Sequence, residues 1–217
     1  ETLGDTLDLS SFERDVLLLC AGMELDAAFP RLCAAIQGRE HQAYPTFSLA
    51  LTVLPDAHFS AIAPSSPLLH WRLIEVEESR VFTLSPLRLS RWALLYLTGM
   101  PHLDQQLSGL IKPVASRGTL LPSHQAIADQ LSTIWVEGSE RGILPLVQLC
   151  GEEVTAKRAI AATACEQVGL SLCRLSAQAI SQDGRELETL LQLWQREVVL
   201  CDRALLIDCD GWTPEEV

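Results

Sequence analysis

The sequence predicts a mixed fold, in which a mostly helical first half is followed by an α/β second half with a parallel sheet. Up to about residue 110, apolar residues recur mainly at helical spacing, with one pair of strand-like runs. Beyond residue 142, short apolar runs alternate with helical segments, which is typical of parallel strands joined by helical crossovers. The chain contains no internal repeat and no low-complexity tract that would favour another architecture.

The first helix is predicted over residues 11–22. Ser10 and Glu13 have the spacing of a capping box, in which the hydroxyl accepts the amide of residue 13 and the carboxylate reaches back to the cap. Apolar residues then recur at helical spacing, at Phe12, Val16, Leu19 and Cys20.

Two further helices and a hairpin follow in the same half. "DAAFPRLCAAIQG" has a cap candidate at Asp26 and a terminating Gly38, and "YPTFSLALTVLP" is bracketed by prolines. The second of these helices places apolar residues on one face, at Phe47, Ala50, Leu51 and Leu54. "WRLIEVEESRVFTLSPLRL" then has two strand-like runs, with residues 77–80 as the turn.

A helix in "SRWALLYLTG" that stops at Gly99 completes this half. Three helices followed by a β-hairpin is the order of a winged helix, so a winged-helix-like domain is predicted over residues 1–110. Pro, Gly and Ser punctuate residues 108–124, and residues 111–141 are therefore predicted to be a linker that contains one helix, at about 124–136.

Residues 142–217 are predicted to form the α/β part. The strand candidates are "ILPLVQLC", "LSLCRL" and "RALLIDCD", and the intervening helices are "AKRAIAATACEQVG" and "RELETLLQLWQREVVLC". This βαβαβ order predicts a parallel sheet that is only partly present, so we expect the sequence to be a piece of a longer protein.

Composition and charge exclude several functions. The net charge of −12 argues against a general affinity for nucleic acid or for an anionic membrane. No apolar stretch approaches the roughly 18 residues that a membrane span requires. The seven cysteines form no C-x-x-C pair, which favours reduced, buried thiols in a cytoplasmic protein. Neither the cysteines nor the histidines have metal-ligand spacing, so no metal site is predicted.

One stretch of the α/β part is similar to a phosphate-binding loop. Such a loop needs G-x-x-x-x-G-K-[ST] between a strand and a helix. Gly151 and Lys157 stand at the required distance, with Thr155 between them, whereas Ala156 replaces the second glycine and Arg158 replaces the hydroxyl residue. A guanidinium has no lone pair to offer a metal, so Mg²⁺ is not expected here and ATP binding is expected to be weak or absent.

Asp208 is the second part of the candidate site, because it stands where P-loop ATPases have a metal-binding aspartate. "ALLIDCD" places four apolar residues before Asp208, which is the pattern of the strand whose aspartate holds the Mg²⁺ shell in P-loop ATPases. Two simpler interpretations remain open. The loop could be an ordinary βα turn with a solvated Lys157, and Asp208 and Asp210 could be solvated or could cap a turn.

The first half resembles the winged-helix region of a known family. "LSSFERDVLLLCAGMELD", "YPTFSLALTVLPDAHFSA", "PLLHWRLIEV" and "PHLDQQLSGLI" resemble the N-terminal region of bacterial tandem AAA-family ATPases of the type associated with contractile injection systems. The resemblance implies a winged-helix domain, then a degenerate first AAA module, then a complete module beyond residue 217. It also implies that the longer parent protein, of which this sequence is a piece, hydrolyses ATP in that complete module and assembles as a homo-oligomeric ring.

The same resemblance implies that this part of the parent is not catalytic. In the AAA branch the residue after the metal-binding aspartate is an acid that activates water, but here it is Cys209. Asp210 falls one place too late, and on a strand a one-residue offset turns the carboxylate to the opposite face. No catalytic residue is therefore expected, and the degenerate nucleotide site consists of Gly151, Thr155, Ala156, Lys157, Arg158 and Asp208.

The predicted partners of the winged-helix domain are proteins, either subunits or substrates, and not nucleic acid. "PTFSLALTVLP" has no Arg, Lys, Asn or Gln to reach bases or phosphates. Residues 1–110 carry seven Arg and no Lys against thirteen Asp and Glu, a net charge of −6. A DNA-binding winged-helix regulator and a weakly active ATP-binding module remain the alternatives.

Overall fold

The computed structural model describes residues 2–100, 102–115, 118–142 and 144–210. The chain forms two compact units, Glu1–Asp104 and Gln105–Val217. Within the described residues, no helix is both long enough and apolar enough to cross a membrane.

The first unit is mostly helical and contains one small antiparallel sheet. Its helices are α1 (Thr2–Thr6), α2 (Ser11–Leu25), α3 (Phe29–Gln37), α4 (Phe47–Val53), α5 (Pro67–His70) and α6 (Arg91–Leu97). Strands β1 (Ile74–Val76) and β2 (Leu87–Leu89) pair in antiparallel register. Its core is apolar, and the fully buried side chains include Phe12, Val16, Phe47, Leu68, Leu73 and Leu87.

Local signals predict most of these helices correctly. The capping box is present at the start of α2, where the Glu13 amide donates to Ser10 Oγ at 3.2 Å and the Ser10 amide donates to Glu13 Oε2 at 3.0 Å. Gly38 ends α3 with a φ of 64°. The prediction that Asp26 caps α3 is wrong. Its carboxylate accepts the Ala28 amide at 2.8 Å, and the cap position itself is Ala28.

Loss of the capping hydroxyl gives a first testable prediction. Ser10→Ala is expected to lower the free energy of unfolding by about 1–2 kcal/mol, because the Glu13 amide loses its acceptor. Ser10 Oγ also lies 2.9 Å from His58 Nε2, so the hydroxyl links α2 to a distant loop. The measurement is urea unfolding followed by circular dichroism.

The matched control for this variant is Ser11→Ala. Ser11 Oγ makes one exposed hydrogen bond, to Asp56 Oδ2 at 3.1 Å, so its removal is expected to change the free energy of unfolding by at most about 0.5 kcal/mol. Equal losses in the two variants would contradict the capping role of Ser10.

The hairpin exists, but its connection is longer than the sequence predicts. Strand β1 ends at Val76 and pairs there with Leu87, so residues 77–86, the wing loop, connect the strands instead of a turn at 77–80. The predicted second strand begins too early because Phe82–Leu84 form a 3₁₀ turn. The Phe82 ring stacks on that of Phe47, with centroids 5.9 Å apart, and this contact draws the segment away from β1.

The second unit combines helices with a three-stranded sheet. Its elements are α7 (Gln105–Ser108), β3 (Ile111–Pro113), α8 (Pro122–Glu140), α9 (Val154–Gln167), β4 (Ser171–Ser176), α10 (Gly184–Cys201) and β5 (Arg203–Asp208). The strand order is β3-β4-β5. Strands β4 and β5 are parallel and are joined through α10, as the alternating pattern predicts.

Two parts of this unit differ from the prediction. Residues 111–113, predicted to lie in a linker, form β3, which pairs antiparallel with β4 and buries Ile111. The strand predicted over residues 143–150 is absent from the described residues 144–150. Leu146 is fully exposed, while Val147 and Leu149 pack against a cluster from α8 and α9. Helix packing therefore holds this run, and Pro145 has no amide to donate to a neighbouring strand.

Candidate functional site

The carboxyl end of β5 lies beside the first turns of α9. Arg158 on α9 forms an ion pair with Asp208 Oδ2 at the end of β5. Arg174 on β4 contacts the same oxygen, with Nη1 at 3.1 Å. The Asp208 side chain is only 8 % exposed. These three residues are the arginine–aspartate cluster, in which two guanidinium groups share one carboxylate.

A second ion pair lies next to this cluster. Lys157 Nζ is 2.6 Å from Asp210 Oδ1, so Lys157 is paired and not solvated. The Asp210 amide donates to Asp208 Oδ1 at 3.1 Å, which means that Asp208 also caps the turn after β5. The expectation that the Asp210 carboxylate points to the opposite face of the strand, away from the candidate site, is wrong. Strand β5 ends at Asp208, so strand alternation does not extend to residue 210.

The pKa of Asp208 is lowered from its ordinary value. Burial acts to raise this pKa, but the hydrogen bond from Arg158, the amide of Asp210, the hydrogen bond from Arg174 and the charge of Arg158 together lower it. The carboxylate is therefore held in its charged form by its neighbours. Both of its oxygens are already hydrogen-bonded within the chain.

The loop before α9 is short. Gly151 has a φ of 145°, a conformation that side-chain-bearing residues rarely adopt. Helix α9 begins at Val154, so Ala156 and Lys157 are already helical, and the Lys157 amide donates to the Glu153 carbonyl at 3.1 Å.

Two acidic residues stand where a phosphate would approach. Glu152 and Glu153 are exposed just before α9, and Thr155 is exposed in its first turn. The positive end of the helix dipole already has these carboxylates nearby, and they would repel an anion.

The chemistry of the site is ionic pairing within the chain. Three cations pair with two carboxylates, which leaves a net charge of +1 on these five groups, and a divalent metal would have to displace Arg158 and Arg174 from Asp208. A guanidinium cannot coordinate a metal because it has no free lone pair. Among the described residues, no group of three or more His, Cys, Asp or Glu could hold a metal ion.

Sequence reasoning identifies most of the residues that meet here, but not Arg174. The structure places Arg158 against Asp208 and Lys157 against Asp210, and Gly151 lies in the loop before α9. The one sequence signal for Arg174 is a lone charge inside the apolar run "LSLCRL". A charge in such a strand needs a partner, because burying it unpaired is unfavourable.

The first unit has an apolar surface where α4 meets the wing loop. Four residues of this α4–wing surface are between 40 % and 49 % exposed: Val53, Val81, Phe82 and Leu84. The charges nearby have both signs. Glu77 pairs with Arg88 at 2.6 Å, and Glu78 and Arg80 are both exposed. A hollow of about 260 Å³ is lined by Val76, Glu77, Glu78, Ser79, Phe82 and Ser85.

Comparison with known proteins assigns a family to the first unit and to the first seven residues of the second. Residues 1–111 match the family model described as "Winged helix domain, variant". No curated protein and no solved structure matches the chain.

Proposed function

Because the chain belongs to the family of variant winged helix domains, we propose that its first unit is a protein-docking module. Its second unit is a degenerate nucleotide-type α/β module that does not hydrolyse ATP. The parent protein is an AAA-family ATPase of the bacterial contractile-injection-system type, in which another module hydrolyses ATP and the subunits form a ring. In this arrangement, the described units recruit a protein substrate or a partner subunit.

The arginine–aspartate cluster is the observation that supports the absence of ATP hydrolysis by the second unit. In P-loop ATPases the aspartate at this position holds the Mg²⁺ shell, and the metal neutralises charge on the phosphates. Here Arg158 and Arg174 both contact the Asp208 carboxylate. Both cations belong to the chain itself, so a metal ion at Asp208 would have to compete with two ion pairs inside the protein.

The charge and shape of the first unit support docking to protein over binding to DNA. A winged helix that reads DNA inserts its third helix in the major groove and needs cations to contact phosphates. Helix α4 has no basic residue, and the wing loop carries two acids, Glu77 and Glu78, against one cation, Arg80. The α4–wing surface is instead apolar, which suits a protein partner.

The cysteines support a cytoplasmic location. None of the seven is in a disulfide. Four of them are buried as predicted, whereas Cys150 and Cys209 are exposed and Cys201 is half-buried. Burial raises the pKa of Cys20 to about 12, with the nearby Cys33 adding to the effect, and burial raises the pKa of Cys165 to about 11. Thiols with such high pKa values react slowly, because the thiolate is the reactive form.

Calorimetric titration of ATP and of ADP into the 217-residue protein, with and without Mg²⁺, tests the nucleotide part of the proposal. We expect weak or undetectable binding that Mg²⁺ does not strengthen, together with no ATP turnover. Lys157→Ala is the matched variant, and any residual electrostatic affinity is expected to fall with it.

Tight, Mg²⁺-dependent binding, or turnover that Lys157→Ala abolishes, would contradict the proposal. The docking part has a separate test, which is fluorescence anisotropy with labelled duplex DNA at low salt. We expect no change in anisotropy, and binding that weakens steeply with added salt would instead support a DNA-binding regulator.

A further inference from the structure

Three sulfur atoms meet where α2 packs against α3 in the first unit. Cys33 on α3 directs its thiol at the Met23 thioether on α2, with Sγ and Sδ 3.9 Å apart. Cys20 lies one helical turn before Met23, so the two side chains share one face of α2. Cys20 is also close enough to Cys33 for their charges to interact. These three residues, Cys20, Met23 and Cys33, are the sulfur cluster.

The sulfur cluster is closed to solvent at its thiols and more open at its thioether. Cys20 and Cys33 are 1 % and 2 % exposed, whereas Met23 is half-buried. Met23 is therefore the member most exposed to solvent, and a small ion would enter beside it. Once bound at the two thiols, such an ion is shielded from water and from larger competing ligands.

The spacing of the sulfur atoms suits an ion with three sulfur ligands. A metal–thiolate bond is about 2.3 Å long, so three sulfur atoms placed evenly around one ion are about 4 Å apart. The 3.9 Å between Cys33 Sγ and Met23 Sδ is close to this separation, so these two ligands need little movement to bind. An ion between them takes the place of the proton that the Cys33 thiol directs at Met23.

The ligand set selects the class of metal. Thiolate and thioether ligands favour Cu(I), whereas Mg²⁺ and Ca²⁺ require oxygen ligands. Structural Zn²⁺ sites take four ligands from Cys, His and carboxylates, and the described residues contain no group of three or more His, Cys, Asp or Glu that could hold a metal ion. The thioether completes a set of three for a soft ion only. Spacing rules that count Cys and His alone miss such a set.

We propose that Cys20, Met23 and Cys33 bind one Cu(I) ion. Three Cu–S bonds form, and the protons of the two thiols leave to solvent as the ion binds. The copper keeps its oxidation state, so no oxidant or reductant takes part in the step. The inference goes beyond the proposed function, because it concerns neither the α4–wing surface nor the arginine–aspartate cluster.

Anaerobic titration of Cu(I) into the 217-residue protein, in competition with a chromogenic Cu(I) chelator, tests this inference. The double variant Cys150→Ser/Cys209→Ser is the background for all measurements, because these two exposed thiols would bind copper by themselves. We expect the background protein to bind one Cu(I) ion. X-ray absorption at the copper edge is expected to show three sulfur neighbours at about 2.3 Å.

Met23→Leu removes the thioether and nearly conserves the volume of the side chain. It is expected to raise the Cu(I) dissociation constant at least about tenfold and to leave two sulfur neighbours. Met100→Leu, which changes an exposed methionine, is the matched control and is expected to bind like the background protein. Cys33→Ser is expected to abolish the tight site, and far-ultraviolet circular dichroism checks that every variant folds.

A background protein that binds no Cu(I) would overturn the inference. A Met23→Leu variant that keeps both the affinity and the three sulfur neighbours would also overturn it, because copper would then be bound elsewhere. The nucleotide and DNA titrations are made without copper, so their outcomes are independent of this one.

Discussion

Asp208→Ala is expected to lower the free energy of unfolding by about 2–3 kcal/mol. Removing one member of a buried ion pair costs about 3–5 kcal/mol, because the partner charge is left uncompensated. The value expected here is smaller because the side chains of Arg158 and Arg174 are 35 % and 30 % exposed and keep part of their hydration. The turn after β5 also loses the acceptor for the Asp210 amide.

The difference in stability between the wild type and Asp208→Ala depends on pH, because the pKa of Asp208 is lowered in the folded wild type. Because the folded-state pKa is below the ordinary value of 3.8, the stabilising contribution of Asp208 is fully present above that value. It is lost as the pH falls through the lowered folded-state pKa. The difference in stability between wild type and Asp208→Ala is therefore expected to be constant near neutral pH and to shrink in strong acid.

Urea unfolding at a series of pH values measures both effects, and Asp210→Ala is the matched control. Asp210 is more exposed than Asp208, and its ion pair within the described residues is with Lys157, so its removal is expected to cost less than about 1 kcal/mol. If Asp208→Ala were as stable as Asp210→Ala, the cluster would not hold α9 against β5.

Glu197→Ala is expected to have the larger effect, a loss of about 3–5 kcal/mol. Glu197 lies on α10 and is fully buried, and its Oε2 is 3.1 Å from Nε of Arg203 at the start of β5. Arg196, the neighbouring residue on α10, is 1 % exposed. Removing the carboxylate therefore leaves Arg203 without this ion-pair partner in a region with little water.

Two comparison variants separate the charge of Glu197 from its shape. Glu197→Gln keeps the volume and loses the charge, so it is expected to lie between the wild type and Glu197→Ala. Glu188→Ala changes an exposed acid on the same helix and is expected to stay within about 0.5 kcal/mol of the wild type. If urea unfolding gave the same stability for Glu197→Ala as for Glu188→Ala, the buried pair would not stabilise the sheet.

The helices of the first unit were predictable because their signals are local. A capping box, a terminating glycine and a proline bracket each act within a few residues of the element that they define, as at Ser10 and Gly38. The crossover from β4 through α10 to β5 was predictable for a similar reason, because each element is long enough to show its own pattern.

The elements that the sequence misplaces depend on distant partners. Strand β3 has only three residues, which is too short for a period of two to appear, and its pairing with β4 is set some sixty positions away along the chain. The apolar run 144–150 has the length and composition of a buried strand, but Pro145 interrupts it and α8 and α9 hold it by packing. Arg174 joins the candidate site only because β4 and β5 are neighbours.

The position of β5 has a consequence for handling the protein. Among the described residues it pairs with β4 alone, so its other side presents unpaired amides and carbonyls. Ile207 on this strand is 49 % exposed. An outer strand of this kind is a template for sheet growth between molecules. Arg203 and Asp208, at its two ends, are held in ion pairs within the chain. Replacing either one therefore loosens this strand and favours aggregation as well as unfolding.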